Sequence, residues 1–298
     1  MESTGRNNVP LVSVCMITYN HEQFINKAIK GVINQNCSFD FEFIISDDCS
    51  SDNTPFLISE AVDKFNKKIP IKYFSQNSNL GIIKNFVFAL NQCSGKYIAI
   101  CEGDDYWVDN GKLSKQADLL ENDGTLVGSF HFVKVEYENK PHLSNIFKSS
   151  VPEIIGTEDL IAPSSLIHTS SLFFKRDALI FPEWYLTMLS GDFALTSILS
   201  KQGKFKRIND VMSVYRVHDQ GVTSSINYNK EKKLLKISIL EKLNDFHDYK
   251  YNDKFQDVIY ELRSQNLNQN IFIKIRRKLR IGLIIKRVRF WLTKIYFL

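Results

Sequence analysis

The sequence predicts an α/β fold: a mostly parallel sheet flanked by helices, followed by a C-terminal helical extension. Three observations carry this expectation. Between residues 12 and 101 short β-rich runs alternate with helical patterns. Polar residues with chemical potential fall directly after those runs. Beyond Val222 the periodicity turns helical and stays so, which suggests a boundary near residue 225. The chain has 298 residues, 44% hydrophobic and 24% charged, enough to bury a sizeable core and unlike disordered or fibrous compositions. No apolar stretch approaches the roughly 18 to 20 residues that span a bilayer. Residues 1 to 8 are polar and lack the apolar run of a secretory leader, so neither a membrane span nor export is expected.

The strand candidates in order are Val12 to Ile17, Phe41 to Ser46, Ile71 to Phe74 and Tyr97 to Cys101. Between the first two, Phe24, Ile25, Ala28, Ile29, Val32 and Ile33 recur at helical spacing and define one face. Asp52 to Thr54 offers caps for a second helix, and Gly81 opens a third that runs to about Cys93. Further on come a helix over Lys112 to Leu120 and a strand over Leu126 to Tyr137. A strand-like Ser171 to Lys175, a helix from about Gly191 to Gln202 and a strand near Val211 to Val217 follow. The five cysteines contain no Cys-x-x-Cys pair and no zinc-like spacing, and read as reduced, mostly packed thiols.

In open parallel sheets, ligands sit outside the carboxyl ends of the strands, where helix N-termini and loops converge. Thr18, Tyr19 and Asn20 follow the first strand, Asp47 and Asp48 the second, and the run EGDDYW, Glu102 to Trp107, the fourth. The first strand leads into T-Y-N-H-E-Q, not the glycine fingerprint of dinucleotide sites, and no Walker A loop is present. Glu102, Asp104 and Asp105 are costly to gather at one strand end unless a cation neutralises them. Such hard oxygen ligands suit Mg²⁺ or Mn²⁺ shared with a diphosphate. The plainer alternative is a solvated turn that caps the next helix.

The strings ITYN, SDDCSSDNT, NLGIIKN, GKYIAICEGDDYW and GDFALTSILSKQGKFKRINDVMSVYRVH occur in that order between about residues 10 and 225. This array resembles the family 2 inverting glycosyltransferases of the GT-A fold, especially bacterial members that build capsule, O-antigen and other cell-surface glycans. The resemblance implies a GT-A domain over 1–225 and a helical extension over 226–298. It implies that Tyr19 and Asp48 hold the base of a nucleotide-sugar donor, the ring by stacking and the carboxylate by accepting an N–H. Asp104 would contact the ribose, with Glu102 beside it, and Lys84 would touch a phosphate. Asp105 would coordinate Mn²⁺ or Mg²⁺ on the diphosphate, with His218 as a further metal or diphosphate contact. Asp192 stands where the family keeps its catalytic base, and Thr169, Ser170 and Ser171 are candidates to line the acceptor pocket.

Each role has a structural alternative: Asp192 as the cap of a helix beginning at Phe193, Tyr19 as core, His218 as a satisfied buried histidine, the three hydroxyls as backbone partners. Position 102 is often aspartate in the family, and the Gln-x-x-Arg-Trp motif of processive synthases is absent. A single addition to a glycan or lipid-linked acceptor hydroxyl is therefore expected, with one base and one metal on opposite sides of the anomeric carbon giving inversion. A nucleotidyltransferase of similar topology lacks support because no glycine-rich basic loop follows the first strand. A non-catalytic scaffold is disfavoured because Asp105 and Asp192 are both present.

The charge is unevenly spread. After Glu261 come ten basic residues and no acidic one, which leaves 28 Lys and Arg against 33 Asp and Glu in residues 1–261. Within this tail Ile281, Ile284, Ile285, Val288, Trp291, Leu292 and Ile295 share one helical stripe, with Lys286, Arg287, Arg289 and Lys294 roughly opposite. A segment of this kind can lie in the headgroup region of an anionic bilayer, each basic residue contributing about 1 kcal/mol. The expectation is a cytoplasmic protein, peripheral on the inner face of the cell membrane. The alternative is a tail packed on its own domain or on a second copy in a homo-oligomer. Nucleic acid is not an expected partner, because the body is acidic and no recognition motif accompanies the tail. On the membrane reading, the full chain floats with anionic liposomes and a chain ending near Gln269 does not; equal flotation removes this role.

Overall fold

The computed structural model describes residues 9–147, 152–162, 165–188, 191–219, 221 and 231–264. In chain order the main elements are β1 (Val12–Thr18), α1 (Ile25–Ile33), β2 (Phe41–Asp47), α2 (Thr54–Phe65), β3 (Ile71–Ser75), α3 (Ile82–Asn91) and β4 (Tyr97–Ile100). Then follow β5 (Tyr106–Trp107), α4 (Lys112–Asn122), β6 (Leu126–Tyr137), β7 (Asn145–Phe147), β8 (Ile154–Ile155) and α5 (Thr157–Leu160). The described chain is completed by β9 (Phe173–Lys175), α6 (Asp192–Leu199), β10 (Lys204–Val217), α7 (Glu231–Phe246) and α8 (Asn252–Ser264).

The strands form one sheet in the order β3-β2-β1-β4-β9-β6-β10-β5, with β7 added to β6 and β8 to β10. It is parallel over β3-β2-β1-β4 and along the long β6–β10 pair. The short β9 bridges these halves antiparallel to both β4 and β6. Every residue of β1 is buried, as expected of a strand covered on both faces. Val12, Val14 and Met16 join the helices α1, α2 and α4 on one side. Cys15 and Ile17 join α3, α6, α7 and α8 on the other. The apolar positions anticipated for α1 are all buried, Phe24 included.

The expected strands and helices stand in their places, and the differences are local. β10 starts at Lys204 and not at Val211, because the polar run KFKRIND pairs with β6 through register shifts around Ile208 and Val211. Such irregular pairing erases the alternation that would announce a strand. Strands β5, β7 and β8 are too short to show a period. The expected boundary near residue 225 and the tail beyond Ser264 lie outside the described residues. Helices α7 and α8 share a hydrophobic cluster with α3 and α6, through residues such as Leu240, Leu243, Phe255 and Ile259. Among the described residues no helix is long and apolar enough to cross a membrane. All five cysteines are free; Cys15, Cys93 and Cys101 are buried, Cys37 is half-buried and Cys49 exposed.

A lysine lies inside the fold. Lys112, the first residue of α4, is fully buried. Its Nζ donates to Gln116 Oε1 at 2.6 Å and sits 4.1 Å from the centre of the Trp107 ring. Gln116 Nε2 continues the thread to Ser171 O at 3.0 Å, and Trp107 Nε1 donates to Ser170 O at 3.2 Å. This network ties α4 to the backbone of residues 169–171, directly behind the strand ends. Burial pushes the Lys112 ammonium down from 10.5 to about 7. Between those two values unfolding takes up a proton, so this group makes stability rise with pH across the window and weighs against the fold below it. We expect Lys112→Met to flatten that rise, so that the variant gains on the wild type as pH falls from about 10 to 7 in denaturant unfolding at a series of pH values; parallel profiles would contradict a buried ammonium.

Candidate active site at the strand ends

The loops after β1 and β2 are laced together. Asn20 N donates to Ser50 Oγ and Ser51 N donates to Asn20 Oδ1, both at 2.8 Å. Glu22 N donates to Asp52 Oδ2 at 3.0 Å, and Asn53 N returns to Glu22 Oε2 at 2.9 Å. Asn20 and Cys49 adopt left-handed backbone, with φ of 53° and 65°. Asparagine tolerates this conformation, whereas cysteine adopts it rarely. Tyr19 stands in this corner 45% exposed, which removes the core alternative and leaves the ring free to stack. Asp48 is buried, and its carboxylate accepts Leu80 N at 2.7 Å and Gly81 N at 3.0 Å. The acid therefore clamps the entry to α3, where Gly81 takes a φ of 84°. Lys84 is exposed in the first turn of that helix. Asp47 accepts a hydrogen bond from Ser50 Oγ, and burial pushes its carboxyl upward.

The loop after β4 gathers the acids. Asp104 keeps 23% of its side chain exposed; its Oδ2 lies 3.2 Å from His218 Nε2 and 3.8 Å from His21 Nε2. Burial works against its charge, yet the His218 hydrogen bond and the nearby His21 outweigh it and hold the carboxyl below its usual range. Asp105 is turned inward at 1% exposure, its Oδ1 accepting Arg216 N at 3.0 Å. Its Oδ2 has no hydrogen-bond partner among the described residues. Burial first, then Asp104 and Glu102, push the Asp105 carboxyl well up. Glu102 is pushed up to about 8 by burial, with Asp104 and Asp192 adding to it. Of these three acids Asp104 is held below its usual range, while Glu102 and Asp105 are pushed above theirs.

Two residues not singled out in the sequence complete this corner. His21 is fixed by Thr18 Oγ1 at 3.1 Å from its Nδ1 and by Thr54 Oγ1, which accepts its backbone N–H at 2.8 Å. Position 103 must be glycine for this arrangement, since a Cβ there would lie 2.6 Å from Thr18 Oγ1 and 2.9 Å from His21 Nδ1. Arg216 Nη1 donates to Asp104 O at 2.6 Å, and its guanidinium rests 4.4 Å from the Tyr106 ring centre. The sequence signal for both was adjacency: His21 follows TYN and Arg216 lies inside YRVH.

Asp192 is the first residue of α6, with Gly191 in the cap position, and it is half-buried. The Asp192 charge adds, after burial and Asp104, to the upward push on the Glu102 carboxyl. Ser170 and Ser171 do not line an open pocket: both are buried, with Ser170 Oγ 3.1 Å from Ser213 Oγ and Ser171 Oγ donating to His168 O at 2.7 Å. Among the described residues no group of three or more His, Cys, Asp or Glu side chains is arranged to hold a metal ion.

Comparison with known proteins bears on this arrangement. Residues 13–181 match the model of the family described as Glycosyl transferase family 2. An uncharacterised protein of Mycobacterium tuberculosis is 31% identical over 229 residues, covering 74% of this chain and 63% of its own length. The chain thus spans less than two thirds of that relative. The Escherichia coli UDP-Glc:alpha-D-GlcNAc-diphosphoundecaprenol beta-1,3-glucosyltransferase WfaP is 31% identical, over 76% of this chain and 84% of WfaP. Among solved structures, the mannosyltransferase PcManGT of Pyrobaculum calidifontis, in complex with GDP-Man and Mn²⁺, superposes with a TM-score of 0.61. It is 17% identical and the match covers 88% of this chain and 72% of that one, a likeness of fold.

Proposed function

The chain belongs to glycosyltransferase family 2, and from that premise we propose that it moves a single sugar, with inversion, from a UDP-sugar to a hydroxyl of a lipid-linked glycan in cell-surface polysaccharide synthesis. The observation that carries the reading is the Asp104 carboxylate, held below its usual range and partly exposed at the end of β4 with His218 at 3.2 Å. The UDP donor and the lipid-linked acceptor are supported by the likeness to WfaP.

The residues divide the work by position. Tyr19 offers an exposed ring for the base. Asp48 takes the base N–H with lone pairs that its two backbone partners leave over. A partly exposed carboxylate is an oxygen donor that fits Mn²⁺ or Mg²⁺ shared with a diphosphate. Asp104 and His218 would hold the ion; Asp105, turned inward onto Arg216 N, anchors the loop that presents them. When bound, the ion offsets the negative charge that grows on the departing diphosphate. Lys84, exposed in the first turn of α3, adds a positive charge for a phosphate, and Glu102 precedes Asp104 in the loop after β4.

On the far side, Asp192 takes the proton of the attacking hydroxyl. General base catalysis is worth about 10² to 10⁴ in rate. A displacement with one base needs no second carboxylate as nucleophile, which separates this site from a retaining glycosidase. We expect Asp192→Asn to lower turnover of the nucleotide-sugar that the wild type uses, chosen from a UDP- and GDP-hexose panel, by about 10² or more. UDP affinity in calorimetry stays unchanged. Full activity in this variant would remove the base assignment.

A further inference from the structure

We propose that Phe24, at the entry to α1, is a positioning residue: its ring is the platform that holds the His218 imidazole and the Arg216 guanidinium against Asp104. This inference rests on the reading of Asp104 and His218 as the place where a cation meets the donor's diphosphate.

Phe24 is a buried apolar side chain that stands outside the core. It is 7% exposed, yet among the described residues it belongs to neither of the two hydrophobic clusters on the two sides of the sheet. Its neighbours are groups of the site. The centre of the His218 ring lies 4.5 Å from that of Phe24, with 44° between the planes. The His21 ring lies 6.3 Å away at 68°, and the Arg216 guanidinium carbon lies 5.1 Å from the Phe24 centre. These are separations at which aromatic pairs, and a cation near a ring, attract one another. Three of the groups gathered around Asp104 thus share one aromatic neighbour.

The backbone fixes the platform itself. Phe24 N and Ile25 N both donate to His21 O, at 2.9 and 2.8 Å, so the ring is set relative to the loop that carries His21. Arg216 is bracketed by two rings, with Tyr106 at 4.4 Å besides Phe24, while its Nη1 reaches Asp104 O at 2.6 Å. His218 follows the last residue of β10, and its ring meets Asp104 Oδ2 through Nε2 at 3.2 Å while lying against Phe24. Removing the Phe24 ring would let the imidazole turn away from Asp104 without touching Asp104, Tyr19 or Asp48. A constellation whose members are locked by packing loses its geometry when the packing partner goes.

The test is calorimetric titration of UDP into the full chain with Mn²⁺ and, separately, with the metal removed by chelation. Phe24→Leu and Phe24→Met keep an apolar side chain and remove the aromatic face; Phe24→Tyr keeps the face. The gain in UDP affinity that Mn²⁺ gives the wild type is expected to fall about fivefold or more in the leucine and methionine variants. Their metal-free UDP affinity stays within about twofold of wild type, and the tyrosine variant recovers the gain. A general loosening of the fold weakens both titrations alike, so the split between them reports positioning. Three results would overturn the proposal: an undiminished Mn²⁺ gain in the leucine and methionine variants, equal weakening with and without metal, or a tyrosine variant as impaired as the leucine one. The wild-type titrations separate the two claims. If Mn²⁺ gives the wild type no gain, the cation reading of Asp104 and His218 fails; if wild type and both ring-less variants gain equally, only the platform role fails.

Discussion

Three carboxyl groups within four residues repel one another, and much of the architecture around the end of β4 answers that repulsion. Glu102 and Asp105 respond by burial, which favours their protonated forms. Asp104 keeps its charge because two histidines flank it and an arginine caps its backbone carbonyl. The result is a corner in which Asp104 is held below its usual range and faces outward, while Glu102 and Asp105 are pushed above theirs. Such a site is unfinished in a useful sense: its electrostatics improve when a cation arrives.

The fold supplies these partners from distant parts of the chain. His21 comes from the loop after β1, Arg216 and His218 from the end of β10, and the acids from the end of β4. The parallel strands β1 and β4 are hydrogen-bonded neighbours, so their C-terminal ends bring His21 and Asp104 together without a long loop. Gly103 makes this approach possible by leaving out a side chain. Strand β10 reaches the same point because it runs parallel to β6 from Lys204 to Val217, with β5 paired antiparallel at Ser213 and Val214 on its other side. Helices α3, α6, α7 and α8 pack on the side of the sheet opposite α1, α2 and α4.

Much of this was legible in the residues. The doubly buried strands β1, β2 and β4 show as continuous apolar runs, and α1 shows as a helical stripe, because their environments are uniform along their lengths. The strand-end acids were legible for the same reason: polar residues that stop an apolar run mark the sheet's edge. What escaped depends on contacts between segments far apart in sequence. Asp105 and Asp104 are adjacent, and only the backbone turn decides which faces outward and which faces Arg216. His21 acquires its meaning from Asp104, over eighty positions away. Irregular pairing hid the first half of β10, and two-residue strands have no period to read.

The central claim is that the ionised Asp104, with His218 beside it, is where a cation meets the donor's diphosphate. The most direct measurement is calorimetric titration of UDP into the full chain and into Asp104→Asn, each with and without Mn²⁺. The account predicts that Mn²⁺ tightens UDP binding to the wild-type chain at least about tenfold and leaves Asp104→Asn unaffected. The same affinity in all four titrations would contradict it.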